Sequence, residues 1–152
     1  TGQFWETATV STVASVPEKA LKPGNKNGSV LMWAAMGAND ADILQALVAR
    51  GADVNESDPV FGGTPISAAA GKSARPDMIA MLVRLGGDVN KRVNNGETPA
   101  MVAAQYNSAP GIIEALAAAG ADFSIRNDQG KTALDLARDH QNATVEKALL
   151  AL

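Results

Sequence analysis

Cysteine is absent from all 152 residues, and histidine occurs once, at His140. The first absence excludes a disulfide framework and any thiolate metal site. With a single histidine, zinc clusters and cysteine–histidine dyads are excluded, and a serine–histidine–aspartate triad has only His140 to use. That residue falls in a polar turn and reads as solvent-facing. No apolar run reaches the about 18 residues needed to cross a bilayer. The most apolar window, Ile112 to Ala121, is short and is interrupted by Glu114, so no membrane insertion is expected. Lysine and arginine are scattered and the net charge is −3, leaving no basic stripe to follow a phosphate backbone; nucleic acid is not an expected partner. A charged-then-apolar leader is also missing, and the chain opens on Thr1. That start fits a mature chain after signal removal and equally a trimmed one. The expected location is periplasmic or secreted, with the cytoplasm as the alternative.

Motifs that would carry chemistry are incomplete. Gly130-Lys131-Thr132 looks like the end of a phosphate-binding loop, but the residue five before Gly130 is Ile125 where that loop needs glycine. The carboxylate pairs Asp40 with Asp42 and Asp135 with Asp139 have no apolar surroundings in sequence and read as caps and solvated faces. Three glycosylation sequons, at Asn27, Asn55 and Asn142, coincide with turn chemistry. No cofactor is expected, and the chain reads as non-enzymatic.

What is present is periodicity. Glycine recurs at Gly28, Gly62, Gly96 and Gly130, each 34 residues after the last. The residues that follow repeat too: Ser29-Val30-Leu31-Met32-Trp33-Ala34-Ala35, Gly63-Thr64-Pro65-Ile66-Ser67-Ala68-Ala69, Glu97-Thr98-Pro99-Ala100-Met101-Val102-Ala103 and Lys131-Thr132-Ala133-Leu134-Asp135-Leu136-Ala137. A second signature starts at Gly51, Gly86 and Gly120, the first copy reading Gly51-Ala52-Asp53-Val54-Asn55. A period of this length marks a solenoid in which each unit buries its apolar face against its neighbours. Aromatics at 4% suit short helices stacked so closely that alanine, valine and leucine fill the space.

One copy can be read residue by residue. Val93-Asn94-Asn95-Gly96 supplies a turn tolerant of left-handed backbone. Thr98 caps a helix that Pro99 opens and that runs to about Tyr106. Asn107 to Pro110 turn the chain, a second helix runs from about Gly111 to Ala119, and Gly120 closes it. Ile112, Ile113 and Leu116 form its apolar face. The matching faces are Ile43, Leu44, Leu47 and Val48, then Met78, Ile79, Leu82 and Val83, and lastly Val145, Leu149 and Leu150. The turn from Lys72 to Asp77 is expected to hold an extra residue. Thr1 to Lys26 lacks both signatures; Phe4, Trp5, Val10, Val13 and Val16 suit an apolar helix face that Pro17 ends, so a degenerate cap packing Trp5 on the first copy is expected. Asp135, Arg138 and Asp139 give the last copy a polar outer face.

These paired signatures resemble the ankyrin repeat, whose period is about 33 and whose helix start reads T-P-L-H-x-A. The resemblance covers residues 25–152 in four copies. It implies an all-α solenoid of helix-turn-helix units with projecting hairpin fingers, divided into a cap at 1–27, repeats at 28–61, 62–95 and 96–129, and a capping repeat at 130–152. It also implies that another protein binds fingers and a concave groove, the chain itself being a monomer. The family's variable contact positions fall here on Lys26, Asn27, Ser29 and Ala38, then Val60, Phe61, Gly63 and Lys72. In the later copies they fall on Asn94, Asn95, Glu97, Gln105 and Tyr106, then Asp128, Gln129, Lys131, Asp139 and His140. Phe61 and Tyr106 stand out as anchors, because neither is demanded by the repeat. Trp33, Ser67, Met101 and Asp135 are assigned the position of the family's histidine, whose loss puts its loop-tying hydrogen bonds in doubt. The alanine-rich second helices and the Met-Trp-Ala-Ala helix start are similar to bacterial ankyrin proteins, several of them exported. Some of these protect a cell against its own secreted or periplasmic enzymes, cell-wall peptidases included. The implied function is binding that inhibits or sequesters one partner enzyme; the alternative is a structural adaptor joining two proteins.

Overall fold

The computed structural model describes residues 5, 7–21, 29–59 and 62–152. Lys26, Asn27, Val60 and Phe61, and with them the proposed Phe61 anchor, lie outside the described residues, as does Phe4. Four helix pairs follow one another: α1 (Val30–Gly37) and α2 (Asp42–Ala49), α3 (Pro65–Lys72) and α4 (Pro76–Arg84), α5 (Pro99–Tyr106) and α6 (Ile112–Ala118), α7 (Ala133–Asp139) and α8 (Ala143–Leu150). No strand occurs among the described residues. The fold is the all-α repeat solenoid that the periodicity predicts.

Each first helix begins on a hydroxyl cap. Ser29 Oγ accepts from the Met32 amide at 3.1 Å, and Thr64, Thr98 and Thr132 accept from Ser67, Met101 and Asp135 at 3.2, 3.4 and 3.3 Å. Pro65 and Pro99 open their helices where no amide proton is needed. The first helices stack α1 on α3 on α5 on α7, and the second helices stack α2 on α4 on α6 on α8. Ala34, Ala35, Ala69, Ala70, Ala103, Ala104 and Ala137 are completely buried, small side chains that let the first helices approach. Between the layers lies one continuous core with Leu31, Ile43, Leu47, Met78, Leu82, Ile112 and Leu116 among its large members.

Cross-repeat hydrogen bonds hold the stack in register. Asn55 Nδ2 donates to the Gly86 carbonyl at 2.9 Å while its Oδ1 accepts from the Asp88 amide at 3.0 Å. Asn90 repeats the pattern with Gly120 and Asp122 at 3.3 and 2.8 Å. On the other side Asn107 Nδ2 donates to Ala70 and Ser73 carbonyls, and Asn142 Nδ2 to those of Ala104 and Asn107, all within 3.0 Å. Each asparagine satisfies carbonyls left open at a neighbouring helix end.

Four expectations need correction. The cap-to-closing-glycine interval is 22 residues in three copies (Ser29 to Gly51, Thr64 to Gly86, Thr98 to Gly120), so the turn from Lys72 to Asp77 holds no residue that its counterparts lack. The irregular residue sits in the first finger: its amide-to-carbonyl closure runs from Asp58 to Gly63, against Val93 to Glu97 and Asn127 to Lys131 in the next two. Second, with Ser29 as cap, Met32 and not Trp33 takes the place equivalent to Ser67, Met101 and Asp135. Third, Leu150 is 62% exposed, nothing among the described residues covering it. Fourth, residues Val10–Ser15 form a 3-10 turn with Val10 exposed. There Thr9 N–H donates to Thr12 Oγ1 and Ser15 Oγ to the Thr12 carbonyl, local bonds that compete with a regular helix. The segment packs on α2 nonetheless. Trp5, Val13, Val16 and Leu21 are buried in the common core, and Arg50 Nη1 donates to the Val13 and Val16 carbonyls at 2.6 Å.

Candidate protein-binding face

The register of the caps decides which side chains meet. Lys72, Tyr106 and His140 each lie eight residues beyond their cap, so stacking brings them into one row at the C-terminal ends of α3, α5 and α7. Tyr106 is 62% exposed. Lys72 Nζ stands 5.8 Å from the centre of its ring, within cation–π range. The His140 ring lies 6.4 Å away, tilted by 56°. Beside them is an open hollow of about 430 Å³, lined by Gln105, Tyr106, Ser108, His140, Gln141 and Thr144 among others. Asp139 faces Lys131 across an ion pair that joins the last finger to α7. Gln105 is half-buried and donates to its own helix at the Met101 carbonyl, 3.3 Å away.

The finger residues form a second zone with a different character. A Cβ built on Gly62 would sit 2.7 Å from Asn94 Oδ1, and one on Gly96 2.5 Å from Asp128 Oδ1. Asn94 and Asp128 therefore lie against the glycine of the preceding finger. Asp128 N–H also donates to the Asn95 carbonyl at 2.9 Å, and Asn95 itself is left-handed at φ 67°. These three assigned contact positions take part in stacking finger on finger while staying exposed. Glu97 is half-buried and accepts the Val93 amide at its carbonyl, while Gln129 is exposed. The structure thus sets Lys72, Tyr106 and His140 in one row with Gln105 beside them, ties Lys131 to Asp139 next to His140, and places Asn94, Asn95, Asp128 and Gln129 in the fingers.

Ser108, Gln141 and Thr144 in the hollow escaped the sequence reading, since each passes there for an ordinary turn residue. Glu56 escaped it too. This finger residue is 3% exposed with neither carboxylate oxygen hydrogen-bonded, and burial, helped by the charge of Asp53, pushes it up to about 7. The other perturbed carboxylates are held low by local donors: Asp77 by the Arg75 side chain, Asp122 by Ser124, Asp135 by Thr132. They lock turns and caps. No group of three histidine, aspartate or glutamate side chains able to hold a metal occurs among the described residues, nor does any helix long and apolar enough to cross a membrane.

Comparison with curated proteins finds no match. A family model described as ankyrin repeats (3 copies) matches residues 31–127 and again 75–152. Its overlapping matches run over all four helix pairs, whose first helices each begin on a hydroxyl cap. The chain belongs to the ankyrin-repeat family, a family of protein–protein interaction modules.

Proposed function

We propose that the chain binds one partner enzyme across the ends of its first helices and holds it inactive or sequestered. The example we favour is self-protection against a secreted or periplasmic cell-wall peptidase, with the chain in the same compartment. The observation that carries the reading is Tyr106, a tyrosine well exposed where the repeat needs none, flanked by Lys72 and His140 over an open hollow. Tyrosine is enriched among interface anchors because it buries area while keeping a polar tip. The adaptor alternative draws on Leu150 and Leu152, exposed on and just after α8, as a second contact area. Pull-down from envelope and cytosolic fractions, followed by light scattering of the purified complex, separates the two. A single envelope enzyme bound one to one, and inhibited, supports the inhibitor; two partners bound at once support the adaptor. Partners from the cytosol alone would overturn the compartment.

A further inference from the structure

The chain is acidic overall, with 16 acidic residues against 13 lysines and arginines, yet no carboxylate lines the hollow beside Tyr106. The nearest ones in sequence are already engaged. Asp139 pairs with Lys131, Glu146 with Arg138 at 3.1 Å, and Asp77 with Arg75 at 2.8 Å. Lys72 differs: it takes part in no ion pair among the described residues, and its ring contact is the face of Tyr106. A cation without a counter-charge among the described residues, an exposed aromatic face and an imidazole stand in one row, with the hydroxyls of Ser108 and Thr144 and the Gln141 amide beside them. Beside Tyr106 the charge-bearing side chains are Lys72 and His140, and the neighbouring carboxylate, Asp139, is paired with Lys131, so an incoming carboxylate meets donors and little repulsion.

Resting on the reading of this face as the partner-binding surface, we infer that it recognises an acidic side chain of the partner, carried on an extended segment that crosses the ends of α3, α5 and α7. The glutamate or aspartate stem lies on the Tyr106 ring while its carboxylate bridges toward Lys72 and His140. Two features favour a segment of protein over a free small acid. The hollow is shallow and open, whereas small-molecule sites enclose most of their ligand. The row also spans three successive helices, a length that a chain covers and a small molecule does not. An open hollow lets a chain pass through, so the acid is an internal side chain.

The test is selection of short random displayed peptides on the intact protein, keeping clones that bind wild type and not Tyr106→Ala. Chosen peptides are then synthesised with the acidic residue intact and as its amide, and titrated by fluorescence polarisation against wild type and Lys72→Gln. The inference expects one acidic position shared among the clones and weaker binding of the amide peptide. Lys72→Gln should weaken the acidic peptide by about 1.5- to 5-fold, the range for an exposed ion pair, and leave the amide peptide unchanged. Tyr106-dependent clones without an acidic position, or equal effects of Lys72→Gln on both peptides, would overturn the inference and leave the binding face standing. Loss of binding when the peptide is extended beyond its acidic residue would assign the site to a chain end and equally overturn it. Absence of any Tyr106-dependent clone would remove the face itself. Both side chains are exposed, and thermal unfolding verifies that the variants fold.

Discussion

Glu56 makes the protein's stability depend on pH in an unusual direction. A carboxyl that is 3% exposed with both oxygens unpartnered gives up its hydration without compensation, and the neighbouring Asp53 charge adds to the cost of ionising it. Its pKa therefore rises from the ordinary 4.5 to about 7 on folding. A folded-state value above the unfolded one means that Glu56 costs nothing below pH 4.5, where both states are protonated. As pH rises through 4.5 to about 7 the unfolded chain releases its proton first, and stability falls. Each tenfold difference in proton affinity is worth about 1.4 kcal/mol, so the loss is on the order of 3 kcal/mol once pH is well above 7. Glu56→Gln keeps the shape and cannot ionise. Urea unfolding across a pH series should find the variant close to wild type at pH 4.5 and more stable by about 3 kcal/mol at pH 8.5. Carbon-13 titration of the Glu56 carboxyl in the folded protein gives the pKa directly. A stability difference that does not change with pH, or a carboxyl titrating near 4.5, would refute the reasoning.

The other predictions address packing, register and binding. Leu82 is fully buried where α4 meets its neighbours, so Leu82→Ala should cost about 2–5 kcal/mol in denaturant unfolding. Asn90→Ala removes both bonds to the next repeat and leaves the Gly120 carbonyl and the Asp122 amide to water. It should cost about 1–3 kcal/mol, and amide exchange should quicken at that repeat boundary. Gly96→Ala meets a left-handed φ of 71° and the Asp128 carboxylate at once, so it should destabilise the second finger by about 1–2 kcal/mol or more. Tyr106→Ala should leave the melting temperature unchanged and cost about 1–4 kcal/mol of partner binding by calorimetry.

Much of the repeat was legible because its signals are local. Thr98 as cap, Pro99 as first helical residue and Gly120 as left-handed closure depend on neighbours within a few positions, and each stands where its chemistry places it. The phase of the first copy was not legible, because glycine spacing misleads there. Gly28 directly precedes its cap Ser29, whereas Gly62, Gly96 and Gly130 stand two residues before theirs. The regular glycine interval therefore hid a longer first finger and shifted Trp33 onto the place of Met32. Asn55, Asn107 and Asn142 read as turn residues and Asn90 carries no signal of its own, since acceptors 30–38 positions away leave no mark in local sequence. The row of Lys72, Tyr106 and His140 was named by resemblance, but its contacts and the hollow depend on register between repeats. Glu56 carries no motif in the sequence, and only its burial distinguishes it.

The central claim is that the ends of the first helices, and not the second-helix layer, hold a partner protein. Its direct test is quantitative capture from source-organism fractions by three immobilised proteins: wild type, Tyr106→Ala and Glu114→Ala. Glu114 is exposed on α6, in the second-helix layer away from the Tyr106 row. One protein retained stoichiometrically by wild type and Glu114→Ala, and lost from Tyr106→Ala, is the predicted result. Capture that survives Tyr106→Ala and fails with Glu114→Ala would place the partner on the opposite layer and contradict the account.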